Sequence, residues 1–97
     1  MNMQKLLKQA QDMQEKMQRE LGETIIDASV GGGMVSVTMD GHKRLLSAKI
    51  DPEVIDPDDL SMLEDLVVAA VNEASRKVDE ALQSKVGNLT AGLPGLF

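Results

Sequence analysis

The sequence predicts an α+β protein in which an N-terminal helix, a three-stranded antiparallel sheet and a long C-terminal helix follow one another. Three observations carry this reading. Residues 28–51 form the one stretch that reads as sheet, with Val35, Val37 and Met39 alternating with Ser36, Thr38 and Asp40. On both sides of it apolar residues recur at spacings of three and four, the period of a helix with one buried face. Gly31-Gly32-Gly33 and Asp40-Gly41 supply the breaks that divide the sheet stretch into strands.

Residues 2–21 are rich in Gln, Lys, Leu, Met and Glu, all good helix formers, and Gly22 is the expected C-terminal stop. Met3, Leu6, Ala10, Met13 and Met17 make an apolar seam that Leu7 and Leu21 widen. At about 100° per residue, Lys5, Lys8, Asp12, Lys16 and Arg19 fall within a band of roughly 80° on the opposite side. Such a band is either a solvated polar face or a stripe that contacts phosphates.

Residues 23–30 follow as a strand with Thr24, Ile26, Ala28 and Val30 on one face. The three glycines then suit a turn or bulge between antiparallel strands. A phosphate loop is excluded by context, because the glycines lead into a strand and neither GxGxxG nor a GK[ST] ending is present. The second and third strands form a hairpin whose two-residue turn is Asp40-Gly41 or Gly41-His42. Either turn puts Val35, Val37, Leu46, Ala48 and Ile50 on one face. Of the carboxylates Asp51, Glu53, Asp56, Asp58 and Asp59, Asp56 is the expected N-cap of the last helix, with Pro57 in its first position. They lack the residue order of a calcium loop.

That helix should run from residue 57 to about residue 86, with Leu60, Leu63, Val67, Ala70, Val71, Ala74, Val78 and Ala81 as its stripe. At 1.5 Å per residue it is on the order of 45 Å long, more than the roughly 34 Å diameter of a compact chain of this size. It should overhang the body, and its stripe needs the first helix or a second copy of the chain to cover it. Asn72 lies away from the stripe. Residues 87–97, with Gly and Pro and no periodicity, read as a flexible tail outside a single domain of residues 1–86.

The interior must be aliphatic, since Phe97 is the one aromatic residue. No cysteine and no second histidine accompany His42, so neither thiolate chemistry, a zinc site nor a nucleophilic triad has a candidate. No catalytic residue, cofactor or metal is expected. No apolar run reaches membrane-spanning length and the first residues do not form a signal sequence, which points to the cytoplasm. Net charge is −6 but unevenly spread: residues 1–21 carry +1, 22–51 carry −1 and 52–97 carry −6. Any nucleic-acid site must therefore be a local basic patch.

The N-terminal Met/Gln/Lys helix, the run GGGMVSVTMDGHK and the join KIDPEVIDPDDLSMLEDLVVAAVNEASRKVDEAL together resemble the YbaB/EbfC family of bacterial nucleoid-associated proteins over residues 1–86. The resemblance implies a tweezer-like homodimer that binds double-stranded DNA and acts in nucleoid organisation or expression control. Carried onto this chain, the DNA-contacting arms are the first and last helices, with Lys5, Lys8, Lys16, Arg19, Arg76 and Lys77 as candidates, and Lys43 and Arg44 at the hairpin tip. Without Tyr, Trp or internal Phe there is nothing to stack on unpaired bases, which favours duplex over single-stranded partners. The alternative is a dimeric protein-interaction module accessory to replication or recombination proteins, whose genes commonly neighbour those of the family.

Overall fold

The computed structural model describes residues 2–91, with side chains described through Lys85. Its elements are α1 (Met3–Glu23), β1 (Ile25–Val30), β2 (Val35–Asp40), β3 (Leu45–Ile50) and α2 (Ser61–Ala91). The three strands form one antiparallel sheet in the order β1-β2-β3. Short 3₁₀ turns at Gly31–Gly33 and Pro52–Val54 join the pieces.

The core lies between α2 and the first two strands. Ala28, Val35, Val37 and Met39 pack against Ala70, Ala74 and Val78, with Leu63, Leu66, Val67, Val71 and Leu82 at the margin. Ala70 and Ala74 have no exposed surface, so at these two positions only a methyl group separates α2 from the strands. The alternation in β2 and the α2 stripe thus do what their spacing requires. All three residues of the triple glycine have positive φ, between 62° and 92°, a conformation that favours glycine and turns β1 back into β2. Asn72 is exposed.

The edges of several elements differ from the sequence expectation, each for a local reason. Gly22 is helical, and α1 instead ends where Thr24 turns its N–H and its hydroxyl back onto the Glu20 carbonyl, the hydroxyl at 2.7 Å. The hairpin connection is wider than two residues, spanning Gly41 to Arg44. A bulge at Thr38/Met39 sets Leu45 opposite Met39, and Ala48 and Ile50 pair with Val37 and Val35, a register neither two-residue turn gives although it keeps Ala48 and Ile50 on the expected face. Asp56 caps a turn and not a helix: its carboxylate accepts the Asp58 N–H at 3.0 Å and its carbonyl the Asp59 N–H. Pro57 occupies the second position of that turn, and α2 begins only after Asp59 accepts the Ser61 N–H. At its other end α2 continues to Ala91, past the expected stop near residue 86. The rest of the expected tail, residues 92–97, lies outside the described residues.

The chain is elongated, 69 × 25 × 15 Å with a radius of gyration of 19.1 Å, against about 13 Å for a compact chain of this length. α1 has no buried residue, and Met3, Leu6, Leu7 and Met13 on its seam are exposed. It does not lie antiparallel along α2 but meets it near Glu20, where Lys85 stands 3.9 Å away. Every residue of β3 is exposed. Among the described residues no helix is long and apolar enough to cross a membrane.

Because Ala74 sets the helix-to-sheet distance, Ala74→Leu should lower unfolding free energy by about 1–3 kcal/mol through overpacking. The same change at exposed Ala69 should stay within about 0.5 kcal/mol, both read from urea midpoints at constant slope.

Candidate nucleic-acid interface

The eight candidate cations separate into two groups. Lys5, Lys8, Lys16 and Arg19 are all exposed on α1. Lys16 is 4.0 Å from Glu20, a long, solvated i,i+4 pair. Lys5, Lys8 and Arg19 have no acidic partner within ion-pair distance among the described residues. From Lys5 to Arg19 the stripe runs roughly 21 Å along the helix, the rise of about six nucleotides.

The remaining candidates are already engaged. Arg76 bridges Glu73 and Glu80 on its own helix, its Nε donating to Glu73 Oε2 at 3.1 Å. The side-chain hydrogen bond from Arg76 holds the Glu73 carboxyl below its ordinary range, and the same bond pushes the guanidinium further up. Lys77 donates to the Asp27 carbonyl of β1 at 2.9 Å. Lys43 pairs with Asp79 of α2 at 2.8 Å, and Arg44 donates through Nε to Asp40 at 3.2 Å while remaining largely exposed. The i−3 and i+4 spacing of Glu73 and Glu80 from Arg76 was a sequence signal for the first of these. The pairings of Lys43 and Lys77 join residues far apart in the chain and left none.

Sequence reasoning missed Asp40, which builds the hairpin tip. Only 3% exposed, its carboxylate accepts the N–H groups of His42 and Arg44, each at 2.9 Å. Its own N–H donates to the Arg44 carbonyl and its carbonyl accepts from Lys43. These bonds close a loop in which Lys43 takes a positive φ of 64°, an uncommon conformation for a lysine. The tip rests on the end of α1. There the Gly41 N–H donates to the Leu21 carbonyl at 2.8 Å and His42 Nε2 donates to the Gln18 carbonyl at 3.0 Å. His42, expected to be a solvated turn residue, thus joins two elements.

The Arg44 N–H, opposed by burial and reinforced by the His42 N–H, holds the Asp40 carboxyl below its ordinary value. A depressed folded-state pKa stabilises the fold above the unfolded value, near 4, and that stabilisation disappears as pH falls through the folded value. Urea melts from about pH 6 to about pH 2.5 should show an acid limb that Asp40→Asn flattens, with the variant less stable at the upper end. Equal acid limbs would assign the pH dependence to other carboxylates.

Residues 1–93, spanning both helices and the sheet, match the YbaB/EbfC DNA-binding family. A nucleoid-associated protein of Chloroflexus aurantiacus is 46% identical over 100 residues that span the whole of both chains. Another from Acetivibrio thermocellus is 50% identical over 102 residues, 99% of this chain and 90% of that one. The fold is similar to the crystal structure of an uncharacterized protein from Helicobacter pylori, with a TM-score of 0.69 and 25% identity over 87% of this chain and 98% of that one. The elements that carry the exposed cations are therefore part of a shared domain, and the chain belongs to the YbaB/EbfC DNA-binding family.

Proposed function

We propose that the protein acts in the bacterial nucleoid and cytoplasm as a homodimer that binds duplex DNA, contributing to nucleoid organisation or control of gene expression. The observation that carries the reading is the α1 stripe: four exposed cations on one face of a helix that stands away from an acidic body. Phosphate contacts need positive charge that is free to lose its water and counterions. Lys5, Lys8, Lys16 and Arg19 meet that condition best. Arg44, largely exposed despite its bond to Asp40, extends the site at the hairpin tip, and Lys43, Arg76 and Lys77 contribute less because Asp79, Glu73, Glu80 and the Asp27 carbonyl already occupy them. The contacts are to the backbone of the duplex and confer little base readout.

The homodimer reading rests on surface that one protomer cannot bury. Leu45, Leu46 and Ile50 are 49%, 51% and 40% exposed along β3, an edge strand with free backbone groups. On the opposite edge strand the Lys77 ammonium caps a carbonyl of β1. A second copy set against β3 would cover the open edge, leaving two α1 arms to engage DNA together. Replication or recombination proteins remain the partners of the accessory-module reading. The exposed Met3, Leu6, Leu7 and Met13 seam favours it as the second choice.

Two measurements check these statements. In a salt series on a labelled duplex, a dimer using about eight α1 contacts should give a log-log slope near −7. That slope should shrink sharply in the Lys5, Lys8, Lys16 and Arg19 to Ala variant and change little in Arg76→Ala/Lys77→Ala. No binding at low salt would make the protein-partner reading the leading one. In sedimentation equilibrium the parent chain should be a dimer and Ile50→Lys predominantly a monomer. An Ile50→Lys dimer of unchanged affinity would place the interface elsewhere.

A further inference from the structure

α1 is a lever whose direction is set at one end. Its 21 residues make a rod about 31 Å long. Among the described residues it has no buried side chain, and only Met17 and Glu20 to Gly22 are partly covered. A tilt of 10° at that end displaces the other by roughly 5 Å, more than the axial rise of about 3.4 Å from one phosphate of a strand to the next. Whatever fixes the angle therefore decides whether the cations meet their targets together.

We infer that the hairpin tip is a latch that aims α1, with His42 as the positioning residue. This rests on the proposal that α1 carries the DNA-contacting cations. The latch has two bonds. Leu21 is among the last four residues of α1, and its carbonyl, which also takes the capping Thr24 N–H at 3.3 Å, accepts the Gly41 N–H at the shorter distance of 2.8 Å. His42 reaches one turn further back, where Nε2 donates to the Gln18 carbonyl at 3.0 Å. One bond at a helix end leaves a pivot, whereas two a turn apart define an angle.

The surroundings are built for this contact. A Cβ on Gly41 would stand 2.4 Å from the Leu21 carbonyl oxygen, so the approach requires glycine. A Cβ on Gly22 would stand 3.7 Å from the His42 ring, ordinary van der Waals contact, so the ring lies against the last turn of α1 without requiring glycine there. The tip is itself held from behind, by Asp40 through the N–H groups of His42 and Arg44 and by Asp79 of α2 through Lys43. The chain of contacts runs from the exposed side of α2 through the tip to the arm.

His42, which aims the arm without itself contacting DNA, has a distinctive signature. With His42 removed, the four cations are still present and still release the same counterions, so the salt slope should not change. The arm must instead be ordered at the moment of binding, which weakens affinity by a constant factor at every salt concentration.

The chain has no cysteine, so Gln9→Cys on α1 and Asn72→Cys on α2 accept spin labels at those two positions alone. Mixing labelled chain into excess unlabelled chain restricts the measured distance to one protomer. A narrow distance distribution is expected in the labelled parent, about twofold broader in His42→Ala and narrow again in His42→Gln, whose amide also donates. Duplex affinity should fall on the order of tenfold in His42→Ala along a parallel salt line and recover in His42→Gln. An unchanged distribution in His42→Ala, or a Gln variant as broad as the Ala variant, would overturn the latch. If the parent fails to bind duplex, the DNA reading falls, and the distance distributions still decide whether His42 aims the arm.

Discussion

The contact on which the fold depends is the close approach of α2 to β1 and β2 over Ala70, Ala74 and Val78. Short side chains on the helix let Ala28, Val35, Val37 and Met39 be covered by a single layer with no aromatic residue. That economy limits what one layer can cover. α2 spans two strands, so β3 is left exposed, and nothing of the core extends beneath α1. Exposed apolar rows on β3 and α1 are thus consequences of how the core is built, and a small domain with so much uncovered apolar surface is suited to association.

Charge is partitioned along the same lines. The body and α2 hold the negative charge of the chain and use most of their cations internally, in the Glu73–Arg76–Glu80 cluster, the Lys43–Asp79 pair and the Lys77 bond to β1. α1 keeps its cations in water. An acidic protein that binds a polyanion must present positive charge at a distance from its own negative field, and an arm about 31 Å long does so. In the proposed function that polyanion is duplex DNA.

Much of this was legible because it follows from period. The alternation of Val35, Val37 and Met39 revealed the buried face of β2, the spacing of Leu63 to Val78 the buried stripe of α2, and the spacing of Lys5, Lys8, Lys16 and Arg19 their common face. What escaped depends on competition between local choices or on distant pairing. Asp56, Asp58 and Asp59 can all cap a turn or a helix, and only the completed turn shows that α2 waits for Ser61. Asp40 before glycine signals a turn, but not that its carboxylate would be buried and gather two backbone N–H groups. Nothing in the neighbourhood of His42 indicated that its partner lies in α1, 24 residues away.

The most direct test of the central claim is a residue-resolved titration of ¹⁵N-labelled protein with a short duplex. Amide shifts concentrated on α1 between Lys5 and Arg19 and at the hairpin tip, with Arg76 and Lys77 nearly still, are the expected result. Shifts concentrated on α2 around Arg76 and Lys77, with α1 unmoved, would contradict the assignment of the interface to the exposed arm.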